Sequence, residues 1–111
     1  MNYYKQDDFK NLKMKITVGI PAFNEEKNIA AIIIKLKKIA DTVIVCNDGS
    51  TDSTSEIAQN LGVVVINHPK NLGYGAGIKS IFNKSKEIGS EVLVTFDGDG
   101  QHRLEDIKKV V

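Results

Sequence analysis

The sequence is poor in the residues that mark several classes of protein. It contains one cysteine, Cys46, and no tryptophan. A single thiol excludes an intrachain disulfide and a cysteine-based zinc site, and it fits a reducing compartment. Neither sign of charge dominates, because 15 Lys and Arg residues stand against 14 Asp and Glu residues. A net charge of +1 lacks the basic excess of nucleic-acid-binding domains, so we expect no nucleic-acid partner.

Long apolar runs are also missing. The longest, such as 29–34 and 63–66, are far shorter than the roughly 20 residues that cross a bilayer as a helix. The start of the chain is polar and does not have the pattern of a secretory signal. We therefore expect a cytoplasmic location, with residues 1–13 forming a flexible leader and residues 14–111 forming the folded part.

The chain does contain a regular alternation of strand-like and helix-like segments. Runs rich in β-branched residues at 15–20, 42–46, 63–67 and 91–96 predict four strands. Each is followed by an apolar pattern of helical spacing, and the fourth pattern consists of Leu104, Ile107, Val110 and Val111. This order predicts an α/β fold, a Rossmann-like parallel sheet with helices on both faces. Because the chain ends inside the fourth pattern, we expect it to be the first part of a larger domain.

Polar segments follow the predicted strands. Three strands run directly into 21–26, 47–52 and 97–102, and the third strand leads to the glycine-rich segment 71–77. In an open parallel sheet, ligands bind in the crevice beyond the carboxyl ends of the strands. The sequence therefore predicts a binding site at this one edge of the sheet.

Asp97 and Asp99 are the most specific feature of that edge. Side chains two residues apart in an extended segment point to the same side, so both carboxylates can face one point. Such a pair suits a hard divalent cation, Mg²⁺ or Mn²⁺, which can bridge to a diphosphate. An isolated Asp-X-Asp is usually a surface turn. The neighbouring polar segments favour the metal site here.

Other polar residues at this edge have two interpretations each. Asp48 can accept a hydrogen bond from the ring N–H of a pyrimidine or guanine base, or form an Asx turn. Glu25 can contact a base or ribose, or stabilise the start of the first helix, whose N-cap is predicted at Asn24. Asp52 and Ser53 are assigned to capping the second helix rather than to substrate.

The remaining features of the edge carry less information. The glycines at 73, 75 and 77 do not have the spacing of a dinucleotide-binding fingerprint, and we interpret them as close backbone packing beside a ligand. His68 is interpreted as a loop residue.

Together, the four segments resemble glycosyltransferase family 2, most closely its dolichyl-phosphate-mannose-synthase-like branch. They occur in the order and spacing of that family. The resemblance implies a GT-A fold and an inverting displacement at the anomeric carbon of a UDP- or GDP-sugar, with Mg²⁺ or Mn²⁺ as cofactor. Acceptors in this branch are often polyprenyl phosphates at the cytoplasmic face of the membrane, so the resemblance implies that location for the full-length protein.

The resemblance also assigns residues. It implies that the nucleoside pocket is lined by Pro21, Phe23, Glu25, Cys46 and Asp48. Asp97 and Asp99 would hold the metal and the diphosphate, with Gln101 beside them. The sequence departs from the family at Asn47, where a second acidic residue is usual, and at Arg103, where proline commonly stands. No catalytic base or acceptor site is assigned within these residues.

Two other functions remain open on the sequence. A non-catalytic nucleotide-binding or assembly module is the alternative from another class, because a truncated sheet would expose an edge strand and favour a homodimer. A sugar-nucleotide pyrophosphorylase would share fold and substrate. It is disfavoured, because no glycine-rich loop with Arg or Lys follows the first strand.

Overall fold

The computed structural model describes residues 14–96 and, as backbone only, residues 104–109. In chain order the elements are β1 (Ile16–Ala22), α1 (Ile29–Leu36), β2 (Thr42–Asp48), α2 (Thr54–Asn60), β3 (Val64–His68), α3 (Tyr74–Glu87), β4 (Val92–Phe96) and β5 (Leu104–Lys109). The four strands and three helices predicted up to residue 96 are confirmed.

The sheet has the strand order β3-β2-β1-β4-β5. Strands β1 to β4 pair in parallel with one another, which confirms the predicted Rossmann-like sheet. The chain adds β2 and β3 on one side of β1 and then returns to add β4 on its other side. This reversal leaves a crevice beyond the carboxyl ends of β1 and β4, where ligands of such sheets bind.

The helices cover both faces because the side chains of the strands alternate. On one face, Ile16, Val18 and Ile20 of β1 pack in a buried cluster with α1 and with Ala58 of α2. On the other face, a smaller cluster beneath α3 contains Ile44, Cys46, Ile81 and Leu93. Parallel strands that are buried on both faces consist of continuous apolar runs, and for this reason the four strands could be predicted from the sequence.

The predicted fourth helix is wrong. Residues 104–109 form β5, which pairs antiparallel with β4. Apolar residues three apart suited a helix, but the pairing satisfies backbone groups along the outer side of β4, and short apolar patterns do not separate the two states. Four of the six residues of β5 are charged, a composition that protects edge strands from further pairing. Among the described residues, β5 rather than β4 is therefore the edge strand on that side.

The predicted helix starts also need correction. The first helix begins at Ile29 with Asn28 as its N-cap, not Asn24, whose side chain instead accepts a hydrogen bond from the backbone N–H of Thr51 in the next loop. Glu25 therefore lies outside the first helical turn. At α2, Ser53 occupies the N-cap position without a side-chain bond, and Asp52 instead accepts from the backbone N–H of Thr54. Among the described residues, no helix is long and apolar enough to cross a membrane.

Gly19 of β1 lets α3 approach the sheet. A Cβ at this position would overlap Cγ2 of the buried Ile81. Gly19→Ala is expected to lower the free energy of unfolding by about 1–3 kcal/mol through overpacking. Ile81→Leu moves the branch away from Cβ, so the double variant should be more stable than the sum of the two single losses predicts. Urea denaturation of the four proteins measures this coupling, and strictly additive losses would refute the contact.

Candidate functional site

A cleft of about 170 Å³ lies at the carboxyl edge of β1 and β2. It is lined by Pro21, Ala22, Phe23, Asp48, Asn71, Gly73, Tyr74 and Gly77. The lining residues come from the end of β1, the end of β2 and the segment that enters α3. Three of the residues predicted to contact a nucleoside, Pro21, Phe23 and Asp48, are therefore brought together.

Asp48 ends β2 and is 6% exposed. Its Oδ1 accepts hydrogen bonds from Nδ1 of His68 and from the backbone N–H of Leu72, both at 2.8 Å. Its Oδ2 accepts from the backbone N–H of Gly73 at 2.9 Å. Asp48 thus holds the segment that enters α3. Asp48 does not form the alternative Asx turn, because the backbone N–H of Ser50 donates instead to Oδ1 of its neighbour Asn47.

The environment of Asp48 keeps its carboxylate ionised. Burial alone raises the pKa of this group, but the hydrogen bonds from His68, Leu72 and Gly73 outweigh burial and hold the pKa below its ordinary value of 3.8. An ionised carboxylate accepts hydrogen bonds and donates none. Any bound molecule that hydrogen-bonds to Asp48 must therefore supply the hydrogen-bond donor.

His68 is a member of the site that the sequence interpretation missed. It is the last residue of β3 and pairs in register with Asp48. Its ring bonds Asp48 through Nδ1 and lies 2.8 Å from Oγ of Ser80 through Nε2. The sequence contained one sign that His68 belongs to the site: β3, like its neighbours, ends on polar residues at the carboxyl edge of the sheet.

The loops after β1 and β2 are joined by side chains. Oδ1 of Asn24 accepts from the backbone N–H of Thr51 at 2.8 Å, and Oγ of Ser50 accepts from the backbone N–H of Asn24 at 2.9 Å. Asp52 accepts from the backbone N–H of Glu26 at 3.2 Å. These bonds explain why the two polar segments need Asn, Ser and Asp, and they hold the wall of the cleft beside Phe23.

Two predicted pocket residues lie away from the cleft surface. Cys46 is fully buried, and a Cβ added at Gly77 would lie 3.9 Å from its Sγ, an ordinary van der Waals contact. Burial and the nearby charge of Asp48 raise the pKa of this thiol to about 11, so it is a neutral group beneath the cleft. Oε2 of Glu25 accepts from the amide of Asn28 at 3.2 Å, and Glu25 does not line the cleft. Contact of either residue with a nucleoside stays a prediction.

The glycines before and within α3 have different roles. Gly73 has φ +99° and Gly75 has open space around its Cβ position, so neither shows the close packing predicted for it. A Cβ added at Gly77 would lie 3.5 Å from Cβ of Pro21 and 3.9 Å from Sγ of Cys46, which are ordinary contacts, so the predicted close packing is not seen there either among the described residues.

The predicted metal ligands Asp97 and Asp99, and Gln101 beside them, lie outside the described residues. In sequence they directly follow Phe96, where β4 ends next to β1 at the crevice. Within residues 14–96, no group of three or more His, Cys, Asp and Glu side chains is arranged to hold a metal ion.

Residues 17–111 match the family described as Glycosyl transferase family 2. The chain belongs to this family. It is 36% identical over 110 residues to a UDP-N-acetylglucosamine–dolichyl-phosphate N-acetylglucosaminyltransferase of Methanococcus voltae, with 83% of this chain and 44% of the relative covered. It is 33% identical over 106 residues to a dolichol-phosphate mannosyltransferase of Pyrococcus furiosus, with 88% of this chain and 29% of the relative covered.

These relatives confirm the predicted dolichyl-phosphate-mannose-synthase-like branch of family 2. The predicted GT-A fold is confirmed by solved structures. One is glucosyl-3-phosphoglycerate synthase of Mycobacterium tuberculosis with Mg²⁺ and UDP, which has a TM-score of 0.69 at 22% identity and covers 88% of this chain and 38% of that one. The chain spans less than half the length of the curated relatives it matches.

Gly49, in the family 2 segment after β2, allows the backbone of the next loop to pass. It has φ +74°, and a Cβ there would lie 2.5 Å from the backbone nitrogen of Asn71. Gly62 has φ +76° with nothing within 4 Å, so it is a matched control. Gly62→Ala should cost about 1–2 kcal/mol from φ alone. Gly49→Ala should cost about 1–3 kcal/mol more in urea denaturation, because it also overpacks. Equal losses would contradict the close approach.

The lowered pKa of Asp48 predicts a dependence of stability on pH. Because the folded-state pKa lies below the ordinary value of 3.8, the stabilisation is complete above that value and is lost as the pH falls through the folded-state pKa. Asp48→Asn should therefore have a flatter profile of unfolding free energy between about pH 5 and pH 2. The profile of Asp48→Asn should keep some slope, because the pKa of Asp52 is also lowered. If the profiles of the parent and of Asp48→Asn ran parallel, Asp48 would contribute nothing to the pH dependence of stability.

Proposed function

We propose that this chain forms the donor-binding part of an inverting glycosyltransferase that uses a UDP- or GDP-sugar. The observation that carries the proposal is a cleft lined by one buried, ionised acceptor, Asp48, and by two exposed aromatic side chains. Phe23 and Tyr74 line the cleft and are 45% and 61% exposed. A nucleobase has a flat face that stacks on aromatic rings and an edge that carries hydrogen-bonding groups.

The size of the cleft fits one part of a nucleotide. Pockets for drug-sized ligands measure about 300–1,000 Å³, whereas this cleft measures about 170 Å³. We assign the cleft to the base. Ribose and diphosphate would extend along the carboxyl edge of the sheet from β1 toward β4, whose last residue, Phe96, precedes Asp97.

Asp97 and Asp99 are the residues that would hold Mg²⁺ or Mn²⁺, with Gln101 near the diphosphate. Carboxylate oxygens are the ligands these cations prefer, which supports the assignment. The bound cation would supply neutralisation of the charge that develops on the departing nucleoside diphosphate. The M. tuberculosis enzyme with a similar fold was crystallised with Mg²⁺ and UDP.

For the whole protein we propose a polyprenyl phosphate acceptor at the cytoplasmic face of the membrane. Support comes from the names of the relatives, which include transferases to dolichyl phosphate. A phosphate oxygen already carries negative charge, so its attack on the anomeric carbon needs no strong general base. This chemistry agrees with a donor part in which no base is assigned.

Calorimetric titration of UDP and GDP into the 111-residue chain, first with Mn²⁺ and then with EDTA, tests the donor site. We expect saturable binding of one nucleotide that EDTA weakens at least tenfold, about 1.4 kcal/mol. Binding unaffected by EDTA would remove the metal from the proposal. No binding of either nucleotide would remove the donor site from this chain.

Asp99→Ala is expected to abolish the effect of Mn²⁺ on nucleotide affinity, because it removes one of the two proposed carboxylate ligands. Glu87→Ala is the matched control. Glu87 is an exposed carboxylate that ends α3, and its ion-pair distance to Lys84 is 3.5 Å. The control should bind UDP or GDP with the Mn²⁺ dependence of the parent chain. Identical titrations of Asp99→Ala and the parent would refute the metal assignment.

A further inference from the structure

We propose that His68 is a positioning residue for recognition of the donor base. It holds the Asp48 carboxylate so that one acceptor position remains open in the cleft, and this position selects bases that carry a ring N–H. The inference rests on the proposed donor site and adds to it the residue that sets its base specificity.

The first step is a count of acceptor positions. A carboxylate offers about four lone-pair positions, two on each oxygen. Oδ1 of Asp48 accepts from His68 and from the backbone N–H of Leu72, so both of its positions are occupied. Oδ2 accepts only from the backbone N–H of Gly73 among the described residues. One position on Oδ2 is therefore left for a ligand in the cleft that Asp48 lines.

The second step concerns the proton on the imidazole. Because the Asp48 carboxylate is ionised and only accepts, Nδ1 of His68 carries a proton and donates it. In the neutral ring Nε2 is then an acceptor, and it lies 2.8 Å from the hydroxyl oxygen of Ser80. Cys46 lies on the same side, with its Sγ 3.6 Å from Nε2. The ring is held at both ends, between β2 and α3.

The third step compares the donors to Asp48. Leu72 and Gly73 belong to the loop before α3, and their N–H groups are themselves held by Asp48. His68 is different, because it is part of β3 and pairs in register with Asp48 in the sheet. Rotation about the terminal torsion of an aspartate is only weakly restricted. His68 is therefore the donor on a rigid element that fixes the plane of the carboxylate.

The chemical consequence is a choice between bases. Uracil and guanine carry a ring N–H at neutral pH and can donate to the open position on Oδ2. Cytosine and adenine present a ring nitrogen lone pair at the corresponding edge, and a carboxylate repels it. A correctly oriented Asp48 thus favours UDP and GDP over CDP and ADP, and a misoriented Asp48 loses that preference while contacts to phosphate persist.

Two substitutions separate positioning from bulk stability. His68→Asn places an amide near the position of Nδ1, where it can donate to Asp48. His68→Gln places its amide near the position of Nε2, where it can reach Ser80 but not Asp48. Calorimetric titration of UDP, GDP, CDP and ADP with Mn²⁺ into both variants and the parent chain provides the comparison, with urea denaturation as the check on folding.

We expect the parent to prefer UDP or GDP, His68→Asn to keep most of that preference, and His68→Gln to lose about tenfold in affinity for the preferred nucleotide. Affinities for CDP and ADP should stay unchanged in all three proteins. The role of His68 would be overturned, with the donor site still standing, by any of three results. These are an equal loss of affinity for all four nucleotides, no loss in either variant, or an equal loss in both variants. A parent chain that binds no nucleotide, or binds all four equally, would overturn the proposed donor site and this inference with it.

Discussion

The buried negative charge of Asp48 is the constraint on which the arrangement of the site depends. A carboxylate removed from water is costly unless hydrogen-bond donors surround it. Here the donors come from β3, through His68, and from the loop before α3, through Leu72 and Gly73. That loop can reach Asp48 because Gly49 leaves its backbone room to pass. One charge therefore organises the edge of two strands and the entry to a helix.

The sheet places this charge where a ligand can use it. β1 lies in the middle of the sheet, and the chain crosses from one of its sides to the other between β3 and β4. The crevice beyond β1 thus lies between the carboxyl end of β2, which carries Asp48, and the carboxyl end of β4. In the function proposed above, the end of β2 would recognise the base, and the carboxylates that follow β4 in the sequence would hold the metal. The joined loops after β1 and β2 keep the wall of the cleft beside Phe23 in place.

Much of the fold could be predicted, because its evidence is local. Buried parallel strands such as β2 and β4 are continuous apolar runs. The errors fell where local preference is weak. Residues 104–109 suited a helix by apolar spacing, yet they form a strand that pairs with β4. Asn24 suited an N-cap, yet its side chain joins the next loop instead.

The sequence by itself determined the family, the parallel pairing of the first four strands and the edge that carries the polar segments. It did so because continuous apolar runs and the residues at strand ends are properties of short stretches of chain. Only the tertiary structure decided that His68 donates to Asp48, that Cys46 lies beneath the cleft rather than on its surface, and that β5 closes one side of the sheet. These outcomes depend on which distant segments share a surface, and no local pattern of residues encodes that.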